Sequence, residues 1–427
     1  MRRKNPDIIT LDYGKSGLEL RLDKNIADWI VLEPELPPEL VDFGSSFRDS
    51  LKNPIASKPL KSIITRDDNV AIVTSDGTRP VPNKLLIPSI INYLNLSHGN
   101  VTVIIGTGTH RPHTEEEIVN LLGGEITRNC HIVNHDATDT ANLAYLGDTE
   151  SGIPVEFSRH YLQVDKRIAI GFIEPHFFAG YSGGAKAICP GICGMPTIDA
   201  FHSFEIIGHP NSDYGLLEEN PQQLVAREVA SLAPPDFLIN VILNSSKQIT
   251  HIFSGDYIEA HRAGCYHAGK MALVPVERKY PIVVTTNSGY PLDQNLYQTV
   301  KGICAAARIV EGGGTIFVAS ECSRGIPDDG KFADILGTTE SNEELLEKLS
   351  DPDFRILDRW QVQKLVMVLK RAEVKIFTSL SNDAVKRCRM TKVDYLEQAV
   401  YLKAKEYDKK PAVAVLPRGP LTIPTIE

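Results

Sequence analysis

The sequence predicts an α/β protein made of two α/β domains with mainly parallel sheets. Three observations point there. Short unbroken Val/Ile runs recur, such as Asn69–Thr74 (NVAIVT) and Pro281–Thr286 (PIVVTT). Most of them end in polar or glycine residues and lead into a helical pattern. The length of 427 residues exceeds the roughly 250–300 at which single cores stop growing.

The elements follow in order. Asn69–Thr74 reads as a strand, followed by the loop Ser75-Asp76-Gly77-Thr78-Arg79-Pro80 and a helical stretch at Pro88–Leu94. Val101–Ile105 is a second strand, ending in Gly106-Thr107-Gly108-Thr109-His110. Thr114 with Glu117 three residues later makes a capping box that opens a helix through Leu122. His131–Asn134 and Arg167–Ile173 are further strands, the latter leading to Glu174-Pro175-His176. Strands apolar on both faces belong in a parallel sheet covered by helices on both sides. Ligands of such sheets bind past the carboxyl ends of the strands. Asp76, Arg79, His110 and His176 all fall there. One such residue is as readily a solvated loop residue, but four at equivalent positions favour a shared site.

Ala272–Lys279 reads as a linker, so residues 1–275 form a first domain and 278–408 a second. The second contains strands at Pro281–Thr286, Thr315–Ala319 and Lys375–Ser379, and a helix at Asp293–Ala307. Ala412–Leu416 is a last strand.

Composition excludes several classes. A net charge of −9 with no basic stripe argues against a nucleic-acid polymer as partner. No apolar run approaches the roughly 18 residues of a membrane helix. Met1-Arg2-Arg3-Lys4 is followed by Asn5, Asp7 and Asp12 rather than an apolar stretch, so a cytoplasmic location is expected. The seven cysteines have no framework spacing.

The densest feature is Glu174–Cys193, EPHFFAGYSGGAKAICPGIC. Glycines such as Gly183 and Gly184 let backbone N–H groups approach a ligand closely. Lys186 in such a loop suggests phosphate, yet the G-x-x-x-x-G-K-[ST] pattern is missing. A phosphate- or nucleotide-binding α/β transferase using Lys186 and Arg79 is therefore the alternative reading. Lysine is also a covalent attachment point. His202 is a candidate metal ligand, although a lone histidine is more often structural. Cys189 and Cys193 lack a second pair that would complete a zinc site, and packing is their simpler role.

Four segments resemble the lactate racemases, also called nickel-pincer nucleotide racemases. They are Ser75–Pro80 (SDGTRP), Thr107–Pro112 (TGTHRP), Gly171–Gly191 (GFIEPHFFAGYSGGAKAICPG) and Gly289–Gly302 (GYPLDQNLYQTVKG). The resemblance implies two α/β domains with the active site in the interdomain cleft, and a tail at 410–427 that rejoins the first domain. It implies a pyridine mononucleotide with two sulfur-containing arms and a carbon-bound nickel, joined to Lys186 through a thioamide. His202 would complete the nickel coordination, and His110 and His176 would be the acid–base pair. Asp76, Arg79, Gly183 and Gly184 would surround the cofactor. Arg79, Tyr297, Gln298, Lys301 and Trp360 would meet the substrate. The implied partners are a small 2-hydroxyacid and the enzymes that build the cofactor.

The implied chemistry has a physical logic. Removing a proton from C2 of an ionised 2-hydroxyacid would build a second negative charge beside the first. Removing hydride, while a base takes the hydroxyl proton, yields a neutral ketone instead, and it requires a hydride acceptor. Two histidines suit the two faces of the substrate, because their ordinary pKa of about 6.5 allows both roles. Gly77 and Thr109 depart from the family, which usually has a His in the first motif and a bulky aromatic before the catalytic histidine. Both changes remove volume and predict a roomier, more polar pocket for a substrate larger than lactate.

Overall fold

The computed structural model describes residues 7–35, 37–244, 246–327 and 331–426. Two six-stranded sheets carry the chain. The first has the order Ile249–Gly255, Phe237–Leu243, Lys166–Phe172, Val70–Ser75, Val101–Gly106 and His131–Asn134. All pairings are parallel except that of Ile249–Gly255 with Phe237–Leu243. The four strands expected in this sheet lie within a residue of those observed, and Phe237–Leu243 and Ile249–Gly255 are additional. In the second sheet the strand expected from Thr315 begins at Val310, and the one expected at Lys375–Ser379 spans Glu373–Phe377. The side chains alternate as a strand requires. Ile72 packs with Leu86, Ile87 and Ile90 of the helix Asn83–Leu94, while Ala71 and Val73 pack on the opposite face with Phe157, Ile188 and Phe201.

The second sheet has the order Thr391–Lys392, Glu373–Phe377, Val310–Ala319, Tyr280–Thr286, Ala412–Leu416 and Asp28–Val31, all parallel. Here the structure departs from the expected grouping. The strand Ala412–Leu416 does not join the first sheet but lies inside the second, beside Asp28–Val31, which the sequence reading had counted with the first domain. The expected linker is a strand, Leu273–Val276, paired in parallel with Ile423–Ile426.

Two helices differ at their starts. The helix expected from Pro88 begins at Asn83 and carries Pro88 in its interior. The helix expected from Asp293 begins at Leu296, because Asn295 caps it by accepting the Gln298 N–H at 2.9 Å. The capping box at Thr114 and Glu117 forms as expected. Among the described residues no helix is long and apolar enough to cross a membrane.

Candidate active site

Strand order determines where the site lies. From Val70–Ser75 the chain proceeds outward through Val101–Gly106 and His131–Asn134, then returns to the other flank as Lys166–Phe172. The order reverses between Val70–Ser75 and Lys166–Phe172, and a crevice opens past the carboxyl ends at such a reversal. A cavity of about 160 Å³ occupies this place. Asp76, Arg79, His110, His176, Gly183, Lys186 and His202 line it from the first sheet's side, and Tyr297 and Trp360 from the second.

Not every expected residue lines it. Gly184 is buried in the same loop behind the lining. Gln298 is half-buried outside it, on the helix that carries Tyr297. Lys301 lines two adjoining cavities instead, in both cases with Glu174.

The glycine loop is held by buried polar side chains. Gly184 donates its N–H to Asn240 Oδ1 at 2.9 Å, and the His261 ring donates Nε2–H to Ser182 O at 2.8 Å. Gln223 donates to the carbonyls of Ala179 and Tyr181 at 2.7 and 2.9 Å. Gly184 has φ +59°, and a Cβ there would lie 2.4 Å from His261 Nδ1. Only glycine fits that position. Sequence reasoning missed these supports; the one signal was a polar Asn240 amid the apolar run FLINVIL.

The loop aims Lys186 into the cavity, with its Nζ 5.1 Å from the Phe201 ring centroid and 5.8 Å from that of Phe178. Burial, reinforced by the charge of Arg79, lowers the amine to about 7. A substantial neutral fraction at neutral pH makes it a usable nucleophile.

His202 ends the helix Met195–Phe201. Its Nδ1 lies 3.0 Å from Ile198 O. A carbonyl only accepts, so Nδ1 carries the proton and Nε2 keeps its lone pair. The ring stacks on Trp360 with centroids 4.3 Å apart. Burial, then Lys186, holds His202 down at about 3, so it stays neutral and ligand-competent. Among the described residues no group of three or more His, Cys, Asp and Glu side chains forms a metal cage. A metal here would be bound by His202 together with donors from a cofactor. Cys189 and Cys193 pack into the core, and the Cys193 thiol donates to Ile188 O at 3.3 Å.

The two candidate acid–base histidines are wired differently. His110 Nδ1 lies 2.7 Å from Asp76 Oδ2, and Thr78 donates its hydroxyl to Asp76 Oδ1 at 2.7 Å. Burial alone would raise Asp76, but His110, Arg79 and Thr78 leave it below the usual carboxylate range. His176 Nδ1 instead accepts the Ala179 N–H at 3.3 Å, so its neutral ring carries the proton on Nε2. Burial, with Lys186 and Arg79 nearby, pushes His176 well below the usual imidazole range.

Glu174 had no role in the sequence reading. Burial raises its carboxyl against the opposing charges of Lys301 and Arg79. Burial and Arg79 lower Lys301 to about 7, with Glu174 and Asp76 opposing. The space beside Gly77 is also not vacant, contrary to expectation. The Gly77 N–H donates to His113 Nε2 at 2.9 Å, and a Cβ on Gly77 would lie 3.0 Å from that nitrogen. Thr109 does line the cavity.

Comparison with known proteins gives the same family along the chain. Residues 13–215 match the lactate racemase N-terminal domain and residues 276–423 the lactate racemase C-terminal domain. The chain is 34% identical over 421 residues to a lactate racemase of Thermoanaerobacterium thermosaccharolyticum, covering 96% of this chain and 97% of that one. It is 32% identical over 419 residues to a lactate racemase of Lactiplantibacillus plantarum, covering 96% and 98%. The structure of the Thermoanaerobacterium thermosaccharolyticum lactate racemase apoprotein superposes with a TM-score of 0.90 at 32% identity, covering 98% of this chain and 100% of that one. A protein from Thermotoga maritima shares the fold at 16% identity, with a TM-score of 0.69 and coverage of 92% and 100%. The chain belongs to the lactate racemase family and is a racemase, an isomerase by reaction class.

Proposed function

We propose that the chain inverts C2 of a 2-hydroxyacid with a nickel-pincer nucleotide tethered to Lys186. One observation carries this reading. A single cavity combines a buried amine lowered to about 7, a histidine with a free ring nitrogen, and two histidines of opposite wiring. When bound, such a cofactor supplies a hydride acceptor for C2.

The chain's own residues do the rest. His110 presents an unprotonated Nε2, because its Nδ1–H is held by Asp76. That nitrogen takes the hydroxyl proton from one enantiomer. His176 presents Nε2–H and donates to the substrate oxygen. Serving as base for the other enantiomer requires its ring to give up the Ala179 bond. Arg79 meets the carboxylate. Lys301 and Gln298, three residues apart on one helix face, act from the second sheet with Tyr297. Gly183 and Gly184 shape the loop around the nucleotide. Trp360 holds His202 by stacking.

The substrate is proposed to be larger than lactate, and the enzymes that assemble the cofactor are the expected partners. The test is co-expression with those enzymes, intact mass of the product, and chiral separation after incubation with 2-hydroxyacids. The expected result is a covalent adduct that Lys186→Ala removes, together with racemisation. A loaded protein that leaves every 2-hydroxyacid unchanged overturns the proposal.

A further inference from the structure

Beside the catalytic cavity lies a larger chamber, about 250 Å³ against about 160 Å³. Arg79 and Phe172 line both and form the partition between them. Lys301 lines the chamber but not the catalytic cavity. Arg79, proposed above to meet the substrate carboxylate, and the second cation Lys301 therefore both face this second space. Beyond them the walls are mostly apolar, with Ile242, Leu243 and Met271 from the first sheet's side and Leu292 and Leu421 from the second. The charged side chains Asp12, Glu35, Glu174 and Lys247 also line the chamber.

This arrangement constrains the group attached to C2. A carboxylate bound at Arg79 and Lys301 sets the rest of the molecule at the partition. A methyl group leaves the chamber unfilled. Each further methylene buried against apolar walls is worth roughly fourfold in binding. Thr78, Asn244, Ser288 and Tyr290 also line the chamber, but a polyhydroxyl chain would set most of its hydroxyls against apolar wall and lose hydrogen bonds to water there. A second carboxylate would meet Asp12 and Glu35, with Lys247 as the one cation beyond the partition.

We infer that the chamber receives the C2 substituent, and that the substrate is a 2-hydroxyacid with a branched aliphatic or aromatic side chain. This rests on the function proposed above and narrows its larger substrate to an apolar one.

The test uses holoenzyme whose Lys186 adduct has been verified by mass. Lactate, 2-hydroxyisocaproate, phenyllactate, malate and gluconate are compared by kcat/KM. The expected result is at least a tenfold preference for 2-hydroxyisocaproate or phenyllactate over lactate. Met271→Trp and Leu243→Trp fill the chamber from two half-buried positions. Each is expected to lower kcat/KM for the preferred acid at least tenfold and to change lactate turnover less than twofold. Calorimetric titration of the cofactor-free protein with the same acid gives an independent readout, and the tryptophan variants should weaken that binding in parallel. Lactate, malate or gluconate as the best substrate overturns the inference while leaving the racemase reading intact. Equal loss on lactate and the bulky acid in both variants also overturns it. Loaded enzyme inactive on all five acids overturns the underlying reading instead.

Discussion

The Nδ1 atom of His110 lies 2.7 Å from Oδ2 of Asp76, while the other oxygen of that carboxylate accepts the Thr78 hydroxyl. Both carboxylate oxygens are thus committed, and each commitment fixes a proton. In Asp76→Asn the Thr78 hydroxyl claims the amide oxygen, which turns the amide N–H₂ toward His110. Nδ1 must then accept, and the proton moves to Nε2, where a base is needed. The expected loss in kcat is on the order of 10³–10⁴-fold with the fold intact, as for other misassigned histidine tautomers. Steady-state kinetics beside circular dichroism checks this.

Lys186 gives a prediction about pH. Its amine stands at about 7 in the folded chain against 10.5 ordinarily. Between those values the unfolded chain binds a proton that the folded chain has lost. The stability of the cofactor-free protein therefore rises with pH across that window, and Lys186→Met removes this contribution. Denaturant titrations at several pH values measure the slope. Competitive acylation of the apoprotein should label Lys186 with a midpoint near pH 7.

His202 and Trp360 form a stacked pair, and the two substitutions should separate. His202→Ala is expected to keep the mass adduct on Lys186 but lose most of the nickel. Trp360→Ala removes a stacking partner worth about 0.5–1.5 kcal/mol to the pair, along with the indole's bond to Tyr297, so nickel affinity should fall by roughly tenfold or less. Elemental analysis of co-expressed protein distinguishes them.

Gly184→Ala tests the loop itself. A methyl group 2.4 Å from His261, on a backbone with φ +59°, forces the loop or the helix beneath it to move. A loss of about 1–3 kcal/mol in stability is expected, together with a lower yield of the Lys186 adduct. Thermal denaturation and intact mass report the two effects.

Much of this site was legible because its chemistry sits at predictable places. Asp76, His110 and His176 each follow a strand whose Val/Ile run is unmistakable, and the parallel-sheet rule brings them together. The supporting layer was not legible. His261 and Gln223 meet the glycine loop from helices distant in sequence, and nothing local marks them. The strand Ala412–Leu416 was misplaced for the same reason. Val/Ile runs announce a strand but not its neighbour, and Ala412–Leu416 could join either sheet by pattern alone. His113 filled the space beside Gly77 from another loop, a compensation that spacing does not reveal.

The position of Ala412–Leu416 between Tyr280–Thr286 and Asp28–Val31 has a consequence for biogenesis. Chains emerge from the ribosome amino end first, at about 5–20 residues per second. The first sheet is complete once residue 255 has emerged. The second must wait, because its inner strand Ala412–Leu416 is translated after every other strand of that sheet. Until then Asp28–Val31 has no neighbour to pair with, and Tyr280–Thr286 exposes an apolar edge. A nascent chain stalled before residue 412 would hold a formed first sheet beside an open, adhesive second one, so chaperone dependence should concentrate in the second half of synthesis.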